Sequence, residues 1–171
     1  AENGPVINLL LRRMGSDGRA SVKSLPSIRP PEIEAEATGR VITLAELARV
    51  PLYITNLSSA HATEKVKIAR DRGQAVFAET CPHYLVLGSD RYEDPEGIKY
   101  YSTPPLRPAW HQEVLWKALG SGDLHVVSSD HTAFNYVGQK DAGRENFFQA
   151  PRGLPGIQGR LAITYSAGVQ G

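Results

Sequence analysis

The 171-residue chain has 41% hydrophobic and 22% charged residues, a balance typical of a globular protein with a sizeable core. A formal net charge of +1 gives no electrostatic surface for nucleic acid or for an anionic membrane, so neither partner is expected. Cys81 is the single cysteine, which excludes an internal disulfide and a thiolate metal cluster and favours a cytoplasmic setting. The chain begins at "AENG" without Met and stops at "GVQG". We therefore expect residues 1–171 to be one domain and a fragment of a larger protein.

Hydrophobic spacing predicts the elements of the first half of the chain. Val6–Met14 has apolar residues at helical spacing, and Gly15 to Pro31 reads as a loop with three prolines. A helix is predicted from Pro31 onward, with one apolar face formed by Ile33, Ala37, Val41, Leu44, Leu47 and Ala48. "PLYITNL" predicts a buried strand, and "HATEKVKIARDRG" predicts an amphipathic helix that ends at Gly73.

The second half continues the same alternation. Ala75–Ala78 is predicted as a strand that runs into an irregular segment, and "TPPLR" as an extended stretch fixed by proline. "HQEVLWKALGSGD" predicts a helix that its glycines stop, and "LHVVSSD" predicts the third strand. Residues 134–155 read as a loop, and "IQGRLAITYSAGV" predicts a final helix.

Uniformly hydrophobic strands that alternate with amphipathic helices indicate parallel strands covered by helices, an α/β architecture. The carboxyl ends of such strands carry the chemistry of these folds. Asn56, Glu79 and Asp130 each lie where a predicted strand gives way to a loop. Asp130 could therefore be a site residue, and the pattern equally allows a turn or helix-capping role.

The five histidines form no H-x-H or H-E-x-x-H motif, so they predict no stand-alone metal site. We expect His61 to cap a helix or be exposed, and His111 to lie on the surface. His125 is expected in the core, because it falls inside a predicted strand. His83 and His131 follow strands, and either could face a cleft.

Several stretches occur in one order along nearly the whole chain: "AENG", "RPPEIEAEATGRVITLAELARVPLYI", "AVFAETCPHYLVL", "STPPLRP" and "VVSSDHTAFN". In this order they resemble the dihydropyrimidinase/D-hydantoinase family of cyclic amidohydrolases. The resemblance implies part of a (β/α)8 TIM-type barrel, about strands 6–8 with flanking helices. It also implies a dinuclear metal centre, commonly zinc, a homo-oligomer, and a hydrolase that opens small cyclic amides (dihydropyrimidines or hydantoins) to N-carbamoyl amino acids.

The resemblance assigns roles to four residues. Asp130 matches the eighth-strand aspartate, which is a metal ligand and passes a proton from water to the leaving nitrogen. Asn56 in "YITN" stands where the family has its sixth-strand ligand histidine. Thr103 matches a serine whose backbone contacts the substrate ring, and Arg152 in "PRG" matches a ring-binding asparagine.

The family's remaining metal ligands have no counterpart in this chain, and the fifth-strand histidine would stand immediately before Ala1. One carboxylate cannot hold two divalent cations, so we expect metal binding to be absent or incomplete and the isolated chain to be inactive.

Two other interpretations stay open. Collapsin response mediator proteins resemble the same barrel, lack the metal ligands and act as non-catalytic interaction proteins, and "YITN" favours that reading. An allantoinase-like hydrolase would account equally well for "ETCPHYL", whereas "RPPEIEAEA" and "PPLR" favour dihydropyrimidinase. In every case, three parallel strands leave two open sheet edges, which predicts self-association.

Overall fold

The computed structural model describes residues 1–14 and 20–170. Its sheet has three parallel strands, β1 (Leu52–Ile54), β2 (Val76–Thr80) and β3 (Val126–Val127), with β2 in the centre. Leu52 lies opposite Val76, and Glu79 lies opposite Val126. The predicted α/β class with a parallel sheet is confirmed.

Helices precede, connect and follow the strands. In the described residues they are α1 (Gly4–Arg13), α2 (Leu25–Ile28), α3 (Pro31–Ala48), α4 (Ala60–Asp71), α5 (Pro82–Val86), α6 (Trp110–Ser121) and α7 (Arg160–Tyr165). Helix α3 packs on α4, and α6 packs on both α4 and α5. A π-helical turn, Ser166–Gln170, follows α7. Within residues 1–14 and 20–170, no helix has the length and apolarity to span a bilayer.

Local chemistry explains where the longer helices begin and end. The side chain of Asn3 accepts a hydrogen bond from the backbone of Val6 at the start of α1. Helix α3 begins with Pro31, whose missing N–H costs nothing because the first N–H groups of a helix have no acceptor within it. Acidic residues in its first turn suit the positive end of the helix dipole. It ends at Arg49, whose left-handed backbone (φ 55°) stops the helix.

Several predicted boundaries were wrong. Residues 15–19 of the predicted loop lie outside the described residues, but Leu25–Ile28 is a short helix because Leu25 and Ile28 are buried in the core. Strand β2 extends to Thr80, so Glu79 lies inside it, and the segment after it forms α5. Strand β3 has only two residues, and short 3-10 turns interrupt the loop predicted over residues 134–155.

The sheet is covered by helices on one face only. Ile54, Val76 and Ala78 are buried on the helix side. On the other side, Tyr53, Phe77 and Val126 are 49%, 42% and 39% exposed; these three form the exposed sheet face. The prediction that "PLYITNL" is a buried strand therefore holds for Ile54 and is wrong for Tyr53, because no helix of the described residues covers that side.

Helix α3 also turns a different face to the core than its apolar spacing predicted. Of the predicted face, Ile33 and Ala37 are buried, whereas Leu44 and Leu47 are exposed. Ile42 and Ala45, which lie off that face, are buried instead. The helix packs mainly against α4, so contact with that neighbour decides which side is covered.

Candidate functional site

A hydrogen-bonded network joins the carboxyl ends of the three strands. The carboxylate of Glu79 on β2 accepts hydrogen bonds from the hydroxyl of Tyr53 on β1 (2.7 Å) and from the hydroxyl of Ser128, just after β3 (2.8 Å). Because Glu79 is bonded to both neighbouring strands, it fixes their relative position at this end of the sheet. Sequence reasoning quoted Tyr53 in "YITN" and Ser128 in "VVSSDHTAFN" but assigned a role to neither, because their shared contact with Glu79 joins residues far apart in sequence.

Cys81 extends the network to Asn56. Its sulfur lies 3.6 Å from Oδ1 of Asn56 and 3.3 Å from the hydroxyl oxygen of Ser128. The Ser128 proton is donated to Glu79, and the single thiol proton of Cys81 is donated to Asn56, so the sulfur and the Ser128 oxygen are in contact only. Burial raises the pKa of Cys81 to about 12, and the charges of Asp130 and Glu79 add to the rise. The thiol therefore stays protonated at neutral pH, which does not suit a nucleophile.

Asn56 and Asp130 both have a left-handed backbone, with φ values of 55° and 43°. Asn and Asp adopt this conformation more readily than other non-glycine residues, and it re-aims a side chain after a strand. Each is half-buried and follows a strand end closely. Asp130 caps no helix within the described residues, and its carboxylate forms no ion pair or hydrogen bond there. The loop thus leaves that carboxylate available for chemistry.

The residues after Asp130 are tied to the segment at 154–157. Nδ1 of His131 accepts hydrogen bonds from the backbone N–H groups of Gly156 and Ile157, both at 3.2 Å. The backbone of Thr132 donates to the carbonyl of Leu154 at 3.0 Å. His131, whose role the sequence left open, therefore anchors the Asp130 loop.

Lys140 connects the segments that carry Thr103 and Arg152. Its buried ammonium donates to the carbonyl oxygens of Tyr101 (2.9 Å) and Gly153 (2.6 Å). Thr103 is half-buried and Arg152 is exposed. Burial lowers the pKa of Lys140 to about 8. Sequence reasoning missed Lys140 because it lies in a predicted loop.

The structure thus joins the four predicted site residues as two pairs. Asn56 is linked to the loop of Asp130 through Cys81 and Ser128. Lys140 joins Tyr101, two residues before Thr103, to Gly153, the residue after Arg152. Within the described ranges, no hydrogen bond or ion pair joins one pair directly to the other.

A buried ion pair supports the loop that carries Asn56. Arg107, at the end of "PPLR", lies 3.2 Å from Glu34 on α3, and its Nε donates to the hydroxyl of Ser58 at 3.0 Å. Glu34 also accepts from the backbone of Ser58 at 2.8 Å. All three side chains are buried, so this group holds α3, the loop after β1 and the "PPLR" segment together.

Two histidines differ from their predicted positions. His111 is buried rather than on the surface, and its Nδ1 accepts from the backbone of Ala60 (2.9 Å) at the start of α4. Burial lowers the pKa of His111 to about 4, so the ring stays a neutral acceptor. His125 is exposed rather than in the core, because β3 begins only at Val126; its ring rests edge-on against Phe77.

The other two histidines lie beside helix starts. His61 is half-buried with its ring against Trp110, while the cap of α4 is supplied by Ser59. His83 is buried in α5, and burial lowers its pKa to about 4.

The donor set at the strand ends does not fit a dinuclear metal centre. In the part of the chain that the structure describes, no three His, Cys, Asp or Glu side chains are grouped so that they could hold a metal ion. The amide of Asn56 is a poor substitute for imidazole, and the Cys81 thiol is protonated.

Parallel strands beside helices, with polar side chains gathered at the carboxyl ends of the strands, define a protein of the α/β class. No family model matches the sequence. The chain is 47% identical to a D-hydantoinase of Geobacillus stearothermophilus over 99% of its length, and 42% identical to one of Streptomyces coelicolor over 100%. It superposes on the crystal structure of dihydropyrimidinase from Brevibacillus agri NCHU1002 with a TM-score of 0.96, 45% identity and 99% of this chain covered.

The chain therefore belongs to the D-hydantoinase/dihydropyrimidinase family. It spans only 36% and 37% of the two curated relatives and 37% of the crystallised chain.

Proposed function

We propose that residues 1–171 form one structural unit, about strands 6–8, of a barrel that hydrolyses cyclic amides such as hydantoins or dihydropyrimidines. The observation that carries the proposal is identity of 42–47% with D-hydantoinases over essentially the whole chain. The shared rim of Asn56 and Asp130 supports it, because both lie at the sheet edge where α/β enzymes bind substrate.

Under this proposal Asp130 accepts a proton from the attacking water and returns it to the leaving ring nitrogen. Its carboxylate has no hydrogen bond or ion pair within the described residues, so water and substrate can reach it at the strand ends. The backbone around Thr103 and the side chain of Arg152 would contact the ring. The metal ions would take their other ligands from residues outside this chain. Zinc is the metal used in the test below. The 171-residue chain alone would then be inactive.

A chimera tests this proposal. All parts of the Geobacillus stearothermophilus D-hydantoinase that lie outside its match would be fused to this chain, each at the end where the relative has it, once with Asn56 and once with Asn56→His. We expect no hydantoin turnover by the 171-residue chain and turnover by the Asn56→His chimera. The chimera with Asn56 should be at least about 100-fold slower, because loss of a metal ligand costs more than loss of a residue that hydrogen-bonds to one. Bound zinc would be measured in each preparation, with the whole relative as the positive control.

The Asp130→Asn change in the Asn56→His chimera should abolish turnover without loss of zinc from its other ligands. Turnover by the 171-residue chain itself would contradict the proposal. Asn56 specifically favours a second candidate, a non-catalytic scaffold of the collapsin-response-mediator kind. If the folded, zinc-loaded Asn56→His chimera hydrolyses neither hydantoin nor dihydrouracil, the scaffold is the better interpretation.

A further inference from the structure

A cavity of about 390 Å³ lies between α5, the turn at Tyr100, the segment at 134–140 and the start of α7. None of the four predicted site residues lines it, although Lys140, which joins the segments of Thr103 and Arg152, does. Its volume is within the range that accommodates small organic molecules.

The cavity wall contains cations and no carboxylate. Lys99 and Lys140 both line it, and none of its lining residues is Asp or Glu. Lys99 is partly exposed and lies 3.6 Å from Glu96. Lys140 is only 3% exposed, and within the described residues it has two carbonyl acceptors and no anionic partner. A buried ammonium is normally paired with an anion, and it has three N–H groups to donate.

The rest of the wall is largely apolar. Val86, Phe134, Leu154 and Ile163 contribute hydrocarbon surface. His83 adds an imidazole that burial keeps neutral, since its pKa is lowered to about 4. A ligand for this cavity therefore needs one negative charge and an apolar body.

We propose that this cavity binds a small monocarboxylate with an aromatic or branched aliphatic body, and that the carboxylate pairs with the ammonium of Lys140. The ammonium then gains the anion that the described residues do not provide, and the apolar wall covers the body. The proposal does not rest on the hydrolysis proposed above, because it concerns binding of an anion by Lys140 and assigns no role to Asn56 or Asp130.

Phenylacetate and its neutral analogue phenylacetamide provide a direct test on the 171-residue chain. In an NMR titration at pH 6.5, we expect phenylacetate to shift the methyl signals of Leu154 and Ile163 saturably, with a Kd on the order of 1 mM. Phenylacetamide should bind about tenfold more weakly or worse. At pH 9.5 Lys140 loses its proton, since its pKa is about 8. The Kd of phenylacetate should therefore rise about tenfold, while the Kd of phenylacetamide stays unchanged.

Two variants distinguish binding in the cavity from a general effect on the fold. Lys140→Met should remove the preference for the acid, and Val86→Trp should fill the cavity and block both probes while leaving the Lys140 contacts in place. Val137→Trp is the matched control, because Val137 is exposed and does not line the cavity. Equal binding of acid and amide, unchanged binding in Val86→Trp, or no saturation up to about 50 mM phenylacetate would each overturn the proposal.

Discussion

At the scale of single residues, the conformation of Asn56 matters as much as its chemistry. Its left-handed backbone suits Asn and is also adopted by His more often than by most residues. The position can therefore accept the histidine of the family pattern without rebuilding the loop. What a single histidine cannot supply is the rest of a ligand set.

The Asn56→His variant of the 171-residue chain should keep its stability within about 1 kcal/mol of the parent and should hydrolyse neither hydantoin nor dihydrouracil. Asn56→Val is the control, since a β-branched residue with positive φ should cost about 1–2 kcal/mol. Urea denaturation measures the first result and a ring-opening assay the second. Measurable turnover by Asn56→His alone would show that the ligand count is wrong.

His111 makes the stability of the chain depend on pH. Its pKa is lowered from 6.5 to about 4 in the fold, so the unfolded chain binds its proton at a higher pH than the folded chain does. The contribution of His111 is present above pH 6.5 and is lost as the pH falls toward 4, by about 3 kcal/mol in total. His83 titrates in the same direction and window.

His111→Gln tests this dependence, because glutamine retains an acceptor for the backbone of Ala60 and does not titrate. Denaturation at several pH values between 7 and 4 measures how much stability each protein loses over that range. The variant should lose about half as much as the parent, because His83 still titrates in it. An unchanged pH dependence would mean that His111 is not the group responsible.

At the scale of elements, Arg107 and Glu34 join three parts of the chain that are far apart in sequence. Helix α3, the loop after β1 and the "PPLR" segment all contribute a group to this buried cluster. The loop that positions Asn56 therefore depends on an ion pair outside the candidate site. Removal of one partner leaves the other charge buried and unpaired.

Arg107→Met should lower the free energy of unfolding by about 3–5 kcal/mol, since Glu34 would remain as a buried charge. Adding Glu34→Gln removes that charge and keeps an acceptor for the Ser58 backbone. The free energy of unfolding lost by the double variant should therefore be about 1–3 kcal/mol smaller than the sum of the losses in the two single variants. Urea denaturation of the parent, the two single variants and the double variant measures this difference. Losses that simply add would contradict the coupling between Arg107 and Glu34.

At the scale of the whole molecule, the sheet has helices on one side and the exposed sheet face on the other. Strands β1 and β3 are also the two edges of the sheet in the described residues. Apolar surface of this kind together with unpaired edges favours association between copies.

We expect the 171-residue chain to self-associate, and Phe77→Thr to weaken that association because it removes an aromatic ring from the exposed sheet face while keeping a residue suited to strands. Val137→Thr is the control, since Val137 is exposed elsewhere. Sedimentation velocity over a range of concentrations measures the result. A parent chain that stays monomeric throughout would contradict it.

The sequence by itself determined the three strands, the longer helices between them, the parallel α/β class and the family, because periodicity, turn residues and ordered motifs are local signals. It missed the short helices α2 and α5. Tertiary structure decided which faces are covered: Leu44 is exposed, His111 is buried and Lys140 joins two loops, because burial depends on neighbours distant in sequence. Local pattern also could not show that Glu79 binds both flanking strands or that His131 anchors the Asp130 loop. Those contacts exist only once parallel strands bring their ends to one edge of the sheet.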